Sequence, residues 1–384
     1  MRFEFATAGR IVFGPGAIRE AGPAARSLGR HAFLVTGRDP RRAGRLVAIL
    51  DASGLATTCF SSGGEPDLNA AATATASARK AGCDLVIGFG GGGAIDLAKA
   101  VSALLSNGGE LPDYLEVIGR GLPLDRPALP CVAIPTTAGT GAEVTRNAVL
   151  TSPEHRLKVS LRSPALLPRV AIVDPELTRG LPPGLTASTG LDALTQLIEP
   201  FVSCRANPLT DGFCREGIHR VARSLCTAFR HGENPEARAD MAYASLCGGL
   251  SLANSGLGAV HGLASPIGGF YGAPHGAVCA ALLAPAMEIN IRAARSRQPL
   301  GAAIGRYGEI ARLLTGEPMA AAADGPRWIR NLVAFLGLPG LRAHGLRSED
   351  MGEIAAKAAQ SGSMKGNPLP LENEEILEIL AAAL

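Results

Sequence analysis

Through the first half of the chain, short apolar runs stop at glycine or proline and alternate with longer segments of helical spacing. The runs are Ala32–Thr36 (AFLVT), Asp84–Gly90 (DLVIGFG), Cys131–Pro135 (CVAIP) and Val170–Asp174 (VAIVD). Between the first two, Leu68–Gly82 (LNAAATATASARKAG) brings its apolar positions round at helical intervals. Continuous apolar runs of strand length, separated by helices, are the pattern of a parallel sheet covered on both faces. At Asp174–Leu185 (DPELTRGLPPGL) a Pro- and Gly-rich seam interrupts the pattern, and beyond it the segments lengthen and become rich in Ala and Leu. Single cores stop growing near ~250–300 residues, so a chain of 384 residues predicts two domains. The pattern makes residues 1–180 an α/β domain and residues 181–384 an all-α domain.

Composition narrows the class. Apolar residues are 47% of the chain but aromatics only 4%, so the cores are built from Ala, Val, Leu and Ile. With 37 basic and 34 acidic residues the net charge is +3, which argues against nucleic acid as a partner. The one basic cluster, Gly37–Arg45, reads for the most part as a solvated helix face. Eight cysteines, none in a CxxC pair, suggest reduced thiols in a cytoplasmic protein. The N-terminal stretch has no apolar signal core, and no run approaches the ~18 apolar residues of a membrane span.

Two loops follow apolar runs. In Val86–Ala100 (VIGFGGGGAIDLAKA), Gly90, Gly91, Gly92 and Gly93 separate a strand pattern from a helical one. Backbone N–H groups there can converge on a phosphate at a helix N-terminus; the alternative is a tight turn. The spacing is not GxGxxG. The second loop, Ile134–Thr145 (IPTTAGTGAEVT), offers the hydroxyls of Thr136, Thr137, Thr140 and Thr145. Loops at the carboxyl ends of parallel strands are where such sheets bind ligands, although Ser/Thr turns also look like this. Farther on, His261–Gly276 (HGLASPIGGFYGAPHG) holds two of the seven histidines in a stretch without charged residues. Alone, His261 and His275 read as interior histidines.

The two loops, with LPPGLTASTGLDALTQLIE and the histidine stretch, resemble the iron-containing (group III) alcohol dehydrogenases, in the family's order and over nearly the whole chain. The resemblance implies a dinucleotide-binding α/β domain, a helical C-terminal domain and an active site in the cleft. It carries the pyrophosphate to Gly90, Gly91 and Gly92, with Asp96 beside them and Gly93 where the family usually has Ser. It assigns cofactor contacts to Thr136, Thr137 and Thr140, and a lysine near the cofactor to Lys158. It implies a divalent metal, Fe²⁺ or Zn²⁺, held by Asp192, His261, His275 and a fourth position occupied here by Gln196 instead of His. Asp192 and Gln196 are four residues apart and share a helix face. An amide oxygen is a harder, weaker ligand than imidazole, so metal affinity falls and selectivity drifts toward Mn²⁺ or Mg²⁺. Ser265 stands where the family often has a further His. Cys279 follows His275 by four residues and could offer a thiolate; the reading preferred from sequence is a small buried hydrophobe.

The activity implied is hydride transfer between NAD(P)H and a small aldehyde or ketone, reversible to alcohol oxidation. His261 and His275 would serve the substrate oxygen directly if no metal were held. The alternatives are a maleylacetate-reductase-like enzyme acting on a carboxylated enone, with Leu161–Arg169 as its basic stretch, and an inactive nucleotide-binding protein. Gly37 stands where NAD-preferring members often carry Asp, and Arg38 follows it, with Arg41 and Arg42 a turn on. That favours NADP, because arginine accommodates a 2′-phosphate. A homodimer without membrane association completes the expectation.

Overall fold

The computed structural model describes residues 2–384 and forms two compact units. One comprises Phe5–Thr137 and Gly141–Arg179, the other residues 2–4, Ala138–Thr140 and Gly180–Leu384. The threonine loop is thus shared, its middle three residues belonging with the helices.

The first unit contains strands β1 (Arg10–Phe13), β2 (His31–Thr36), β3 (Ala56–Ser61), β4 (Leu85–Gly90), β5 (Cys131–Pro135), β6 (Asn147–Ser152), β7 (Leu157–Arg162) and β8 (Val170–Val173). Six of them form a parallel sheet in the order β1-β8-β5-β4-β2-β3, and β6 and β7 form an antiparallel hairpin. Helices α1 (Ala21–Arg26), α2 (Gly44–Ala52), α3 (Leu68–Ala81), α4 (Gly92–Ser106) and the single turn α5 (Leu111–Tyr114) accompany the strands. The four apolar runs read from sequence are β2, β4, β5 and β8. Each of these is buried almost throughout, whereas the unforeseen β1 and β3 are the sheet's edges and half exposed. Along β2, Phe33 and Val35 pack with α3 and α4 in one core, while Ala32 and Leu34 pack with α1 and α2 in another. That is the two-residue strand period expressed in a strand covered on both sides. The chain moves outward from β2 to β3, then returns to β4 and proceeds the other way through β5 and β8. The topological switch point therefore lies between β2 and β4, whose carboxyl ends carry Gly37 and the glycine loop.

The second unit is helical: α6 (Pro183–Val202), α7 (Pro208–Arg230), α8 (Pro235–Ser255), α9 (Ala259–Tyr271), α10 (His275–Arg297), α11 (Ala302–Thr315), α12 (Asp324–Leu336), α13 (Met351–Ala359) and α14 (Asn373–Ala382) share one apolar core. Local sequence sets their starts. Asn207 and Asn234 cap α7 and α8 by accepting from Thr210 N and Ala237 N, each with proline next in line. The reading that no segment has membrane-spanning length needs correction for α10, which is long and apolar enough to cross a bilayer. The share of its apolar window buried inside the fold is 83%, so it is the core helix of this unit.

Candidate active site

In the first unit, Gly90 ends β4 with φ 159°, and a Cβ there would lie 2.7 Å from Ala94 Cβ and 3.2 Å from Gly37 N. Only glycine lets the strand turn this tightly against both α4 and the end of β2. Gly91 is the N-cap of α4, Gly92 and Gly93 open its first turn, and no side chain caps it. A 15-residue helix that starts uncapped at the switch point presents backbone N–H groups and the positive end of its dipole to an anion. Thr136 N donates to Gly90 O at 2.8 Å and joins the two loops. Thr137 stands beside Gly91, whose added Cβ would meet Thr137 Oγ1 at 3.4 Å. Thr140 belongs to the helical unit.

Thr145 and Asp96 are occupied from within. Lys99, fully buried, donates to Ala142 O (2.7 Å), Thr145 Oγ1 (2.9 Å) and Thr145 O (3.1 Å) and stands 3.5 Å from Asp96. Burial lowers the ammonium's pKa and pushes the Asp96 carboxyl up to about 6 against the pull of Lys99. Burial likewise pushes Glu143 up to about 7. Lys158 pairs with Glu65 at 2.6 Å. At the end of β2, Arg38 Nε donates to Gly63 O at 3.1 Å, Arg41 forks onto Asp39 at 2.8 and 2.9 Å, and Arg42 reaches Leu177 O at 3.2 Å. In the stretch considered for a carboxylated substrate, Arg162 is paired with Glu116 at 2.9 Å.

The second unit gathers Asp192, Gln196, His261 and His275, with Cys279, for which the sequence preferred a small buried hydrophobe over a thiolate donor, and Glu199, which sequence reasoning did not place there. Asp192, Gln196 and Glu199 lie at i, i+4 and i+7 on α6, one helix face. His261 is in the first turn of α9 and His275 opens α10; between the helices Gly272 takes the left-handed conformation that reverses the chain. A Cβ on Gly276 would stand 2.3 Å from Ser188 O, so glycine is what allows α10 to start this close to α6. The rings of His261 and His275 come to 5.3 Å between centroids. Asp192 Oδ1 lies 3.5 Å from His261 Nε2 and 3.6 Å from His275 Nε2, and Cys279 Sγ lies 3.7 Å from His275 Nε2. One donor atom from each of Asp192, His261, His275 and Cys279 falls within 4.8 Å of all the others.

Glu199 organises this cluster. Its Oε1 accepts from Val260 N and its Oε2 from His261 Nδ1, both at 2.6 Å. A carboxylate only accepts, so Nδ1 donates its proton to Glu199, and Nε2 is the nitrogen that faces the cluster. That Nε2 is buried and makes no hydrogen bond. Gln196 Nε2 donates to Asp192 Oδ1 at 3.1 Å, and its Oε1 is likewise buried without a hydrogen bond. Burial opposes charge on His261, but Glu199 and Asp192 outweigh it and hold the imidazole's pKa up to about 9. Burial also works against Asp192, yet His275 and His261 keep its carboxyl below the usual range. A largely buried cluster of carboxylate, imidazole and thiol donors, with an imidazole nitrogen that makes no hydrogen bond, fits a divalent cation, which would displace the extra proton that His261 holds without it.

Residues 8–175 match the family model for iron-containing alcohol dehydrogenase, and residues 186–384 match the model for the C-terminal part of that family. The chain is 35% identical over 381 residues to alcohol dehydrogenase 4 of Saccharomyces cerevisiae, covering 97% of this chain and 96% of the other. It is 35% identical over 388 residues to 1,3-propanediol dehydrogenase of Klebsiella pneumoniae, with 97% and 96% covered. The crystal structure of a 1,3-propanediol oxidoreductase superposes over the full length of both chains with TM-score 0.92 at 33% identity. The chain belongs to the iron-containing alcohol dehydrogenase family. It is accordingly an oxidoreductase of CH–OH groups, interconverting small alcohols and carbonyls with a nicotinamide cofactor, in a family that works with iron or another divalent metal.

Proposed function

We propose that this alcohol dehydrogenase holds its metal in the helical unit through Asp192, His261 and His275, and that the glycine loop of the α/β unit takes the cofactor pyrophosphate. The observation that carries the first part is the buried His261 Nε2, without a hydrogen bond, among the donors of Asp192, His275 and Cys279. In the direction of oxidation the alcohol carbon gives a hydride to NAD(P)⁺ and its oxygen gives a proton to solvent, leaving the carbonyl and NAD(P)H. The metal, when bound, supplies Lewis-acid stabilisation of negative charge on the substrate oxygen. Asp192 brings the negative charge that offsets the cation. Glu199 keeps the proton of His261 on Nδ1, and Gln196 steadies Asp192 through its amide N–H. His275, with 28% of its side chain exposed, marks the side of the cluster that solvent and substrate can reach.

For the cofactor, Gly37 places no carboxylate at the end of β2, and Arg38 lies beside it. We take this to favour acceptance of NADPH at least as well as NADH. The test is metal analysis of anaerobically purified protein, paired with turnover of a panel of small aldehydes by NADH and NADPH before and after chelation. Turnover should fall with chelation and return with a divalent metal. Full turnover in demonstrably metal-free protein would overturn the metal-assisted reading.

A further inference from the structure

We propose that Cys279 is the fourth metal ligand, completing an Asp192–His261–His275–Cys279 site, and that this donor set makes the enzyme selective for zinc. The inference rests on the metal-assisted reading above and adds the missing donor and the metal's identity.

At the expected fourth position, Gln196 turns its amide N–H, not its oxygen, toward Asp192. Gln196 donates its amide N–H to Asp192 Oδ1, and its Oε1, which makes no hydrogen bond, lies beside α8, 3.5 Å from where a Gly248 Cβ would stand. It acts on the site through Asp192, as a positioning residue. Cys279 lies one helical turn beyond His275 on α10, so its side chain projects from the same face. The thiol is fully buried, and its Sγ is within 4.8 Å of all three other donors.

The separations also fit a single small ion. With bonds of about 2.0–2.1 Å to nitrogen and oxygen and about 2.3 Å to sulfur, tetrahedral donors stand about 3.3–3.6 Å apart. Three of the six pairs stand at 3.5 Å (Asp192 to His261), 3.6 Å (Asp192 to His275) and 3.7 Å (Cys279 to His275), and the other three lie within 4.8 Å, so a small inward shift of side chains closes the set on one ion. An independent feature points the same way: the His261 side chain is 7% exposed, and its Nε2, without a hydrogen bond, faces Asp192 Oδ1 within the cluster.

The chemistry selects the ion. One carboxylate, two imidazoles and a thiolate form a borderline-soft set, which suits Zn²⁺ better than the oxygen-loving Mn²⁺ or Mg²⁺. On binding, the Cys279 thiol gives its proton to solvent and its sulfur lone pair to the metal. Held by Asp192, His261, His275 and Cys279, the metal would supply Lewis-acid stabilisation to the substrate oxygen.

The decisive experiment titrates the metal-free full-length protein with Co²⁺ under reducing, anaerobic conditions. Visible bands of tetrahedral cobalt should rise together with an intense near-ultraviolet band from thiolate-to-cobalt charge transfer. Cys279→Ser should keep the visible bands, lose the charge-transfer band and bind Zn²⁺ at least tenfold more weakly. Cys247→Ser, a buried cysteine outside the cluster, should keep both bands. Metal competition should leave zinc bound in preference to Fe²⁺. Visible bands without charge transfer in the native protein would refute the Cys279 ligand and leave the metal-assisted function standing. No uptake of cobalt or zinc would refute both. Should Cys279→Ser not fold, the presence or absence of the charge-transfer band in the native protein still decides.

Discussion

Replacing Glu199 with Gln separates the two tasks of that side chain. The carboxylate is buried and accepts two short hydrogen bonds, one from the start of α9 and one from His261. Gln keeps an oxygen for Val260 N but loses the charge that favours a helix N-terminus, a loss of about 0.3–2 kcal/mol. Its other end is an NH₂ group, which can only donate. His261 must then accept at Nδ1 and carry its proton on Nε2, the atom meant for the metal. Loss of such an orienting partner typically weakens metal binding about 10–100-fold. Glu199→Ala would instead strand two buried donors at about 1–3 kcal/mol each. The expected pattern is therefore a variant Glu199→Gln that unfolds in urea within about 2 kcal/mol of the native protein yet binds Zn²⁺ at least tenfold more weakly by calorimetry. Glu199→Ala should be the less stable of the two. Zinc affinity within twofold of native in a folded Glu199→Gln protein would show that this carboxylate does not set the tautomer.

Four further outcomes are expected. Gly91→Ala should leave stability within about 0.5 kcal/mol, since φ is −73° and the nearest atom to the new Cβ would be at 3.4 Å, while NADH binding weakens at least tenfold by fluorescence titration. Gly90→Ala should destabilise by about 1–3 kcal/mol or more, because it adds strain at φ 159° to an overlap with Ala94. Glu143, with a pKa raised to about 7, is neutral and costs little below its unfolded pKa, and its penalty grows as pH rises and levels off above about 7. Glu143→Gln should therefore gain about 2 kcal/mol relative to the native protein between pH 5 and pH 8 in urea unfolding; an unchanged difference would contradict the buried carboxyl. Arg38→Ala should lower kcat/KM for NADPH about 10–100-fold, the worth of a charge-assisted contact, with a much smaller loss for NADH, and equal losses would remove Arg38 from cofactor choice.

The sheet's interior strands were legible because burial on both faces leaves an unbroken apolar run. β1 and β3 were not, because an edge strand needs fewer apolar residues and shows no contrast with its flanks. Asp192 and Gln196 could be placed on one face from spacing alone, and the histidines came with the motif. Glu199 lies three residues farther along that face, but nothing local distinguishes it from an ordinary helix glutamate; its partner His261 is 62 residues away. Cys279 is as buried as a small hydrophobe would be. What changes its meaning is the company it keeps, and that depends on the close approach of α10 to α6 at Gly276, a tertiary fact. Lys99 was passed over for the same reason, since a helix lysine ordinarily faces water.

That lysine ties the end of the threonine loop to α4 through a single ammonium with three oxygen acceptors. Removing one partner of a buried ion pair strands the other, at a cost of about 3–5 kcal/mol. In engineering terms, position 99 cannot be made apolar on its own to toughen the protein, because the loop and the fold lean on the same ammonium. We expect an apolar replacement there to leave Asp96 unpaired, release the carbonyls of Ala142 and Thr145, and lower the melting temperature and the cofactor affinity together.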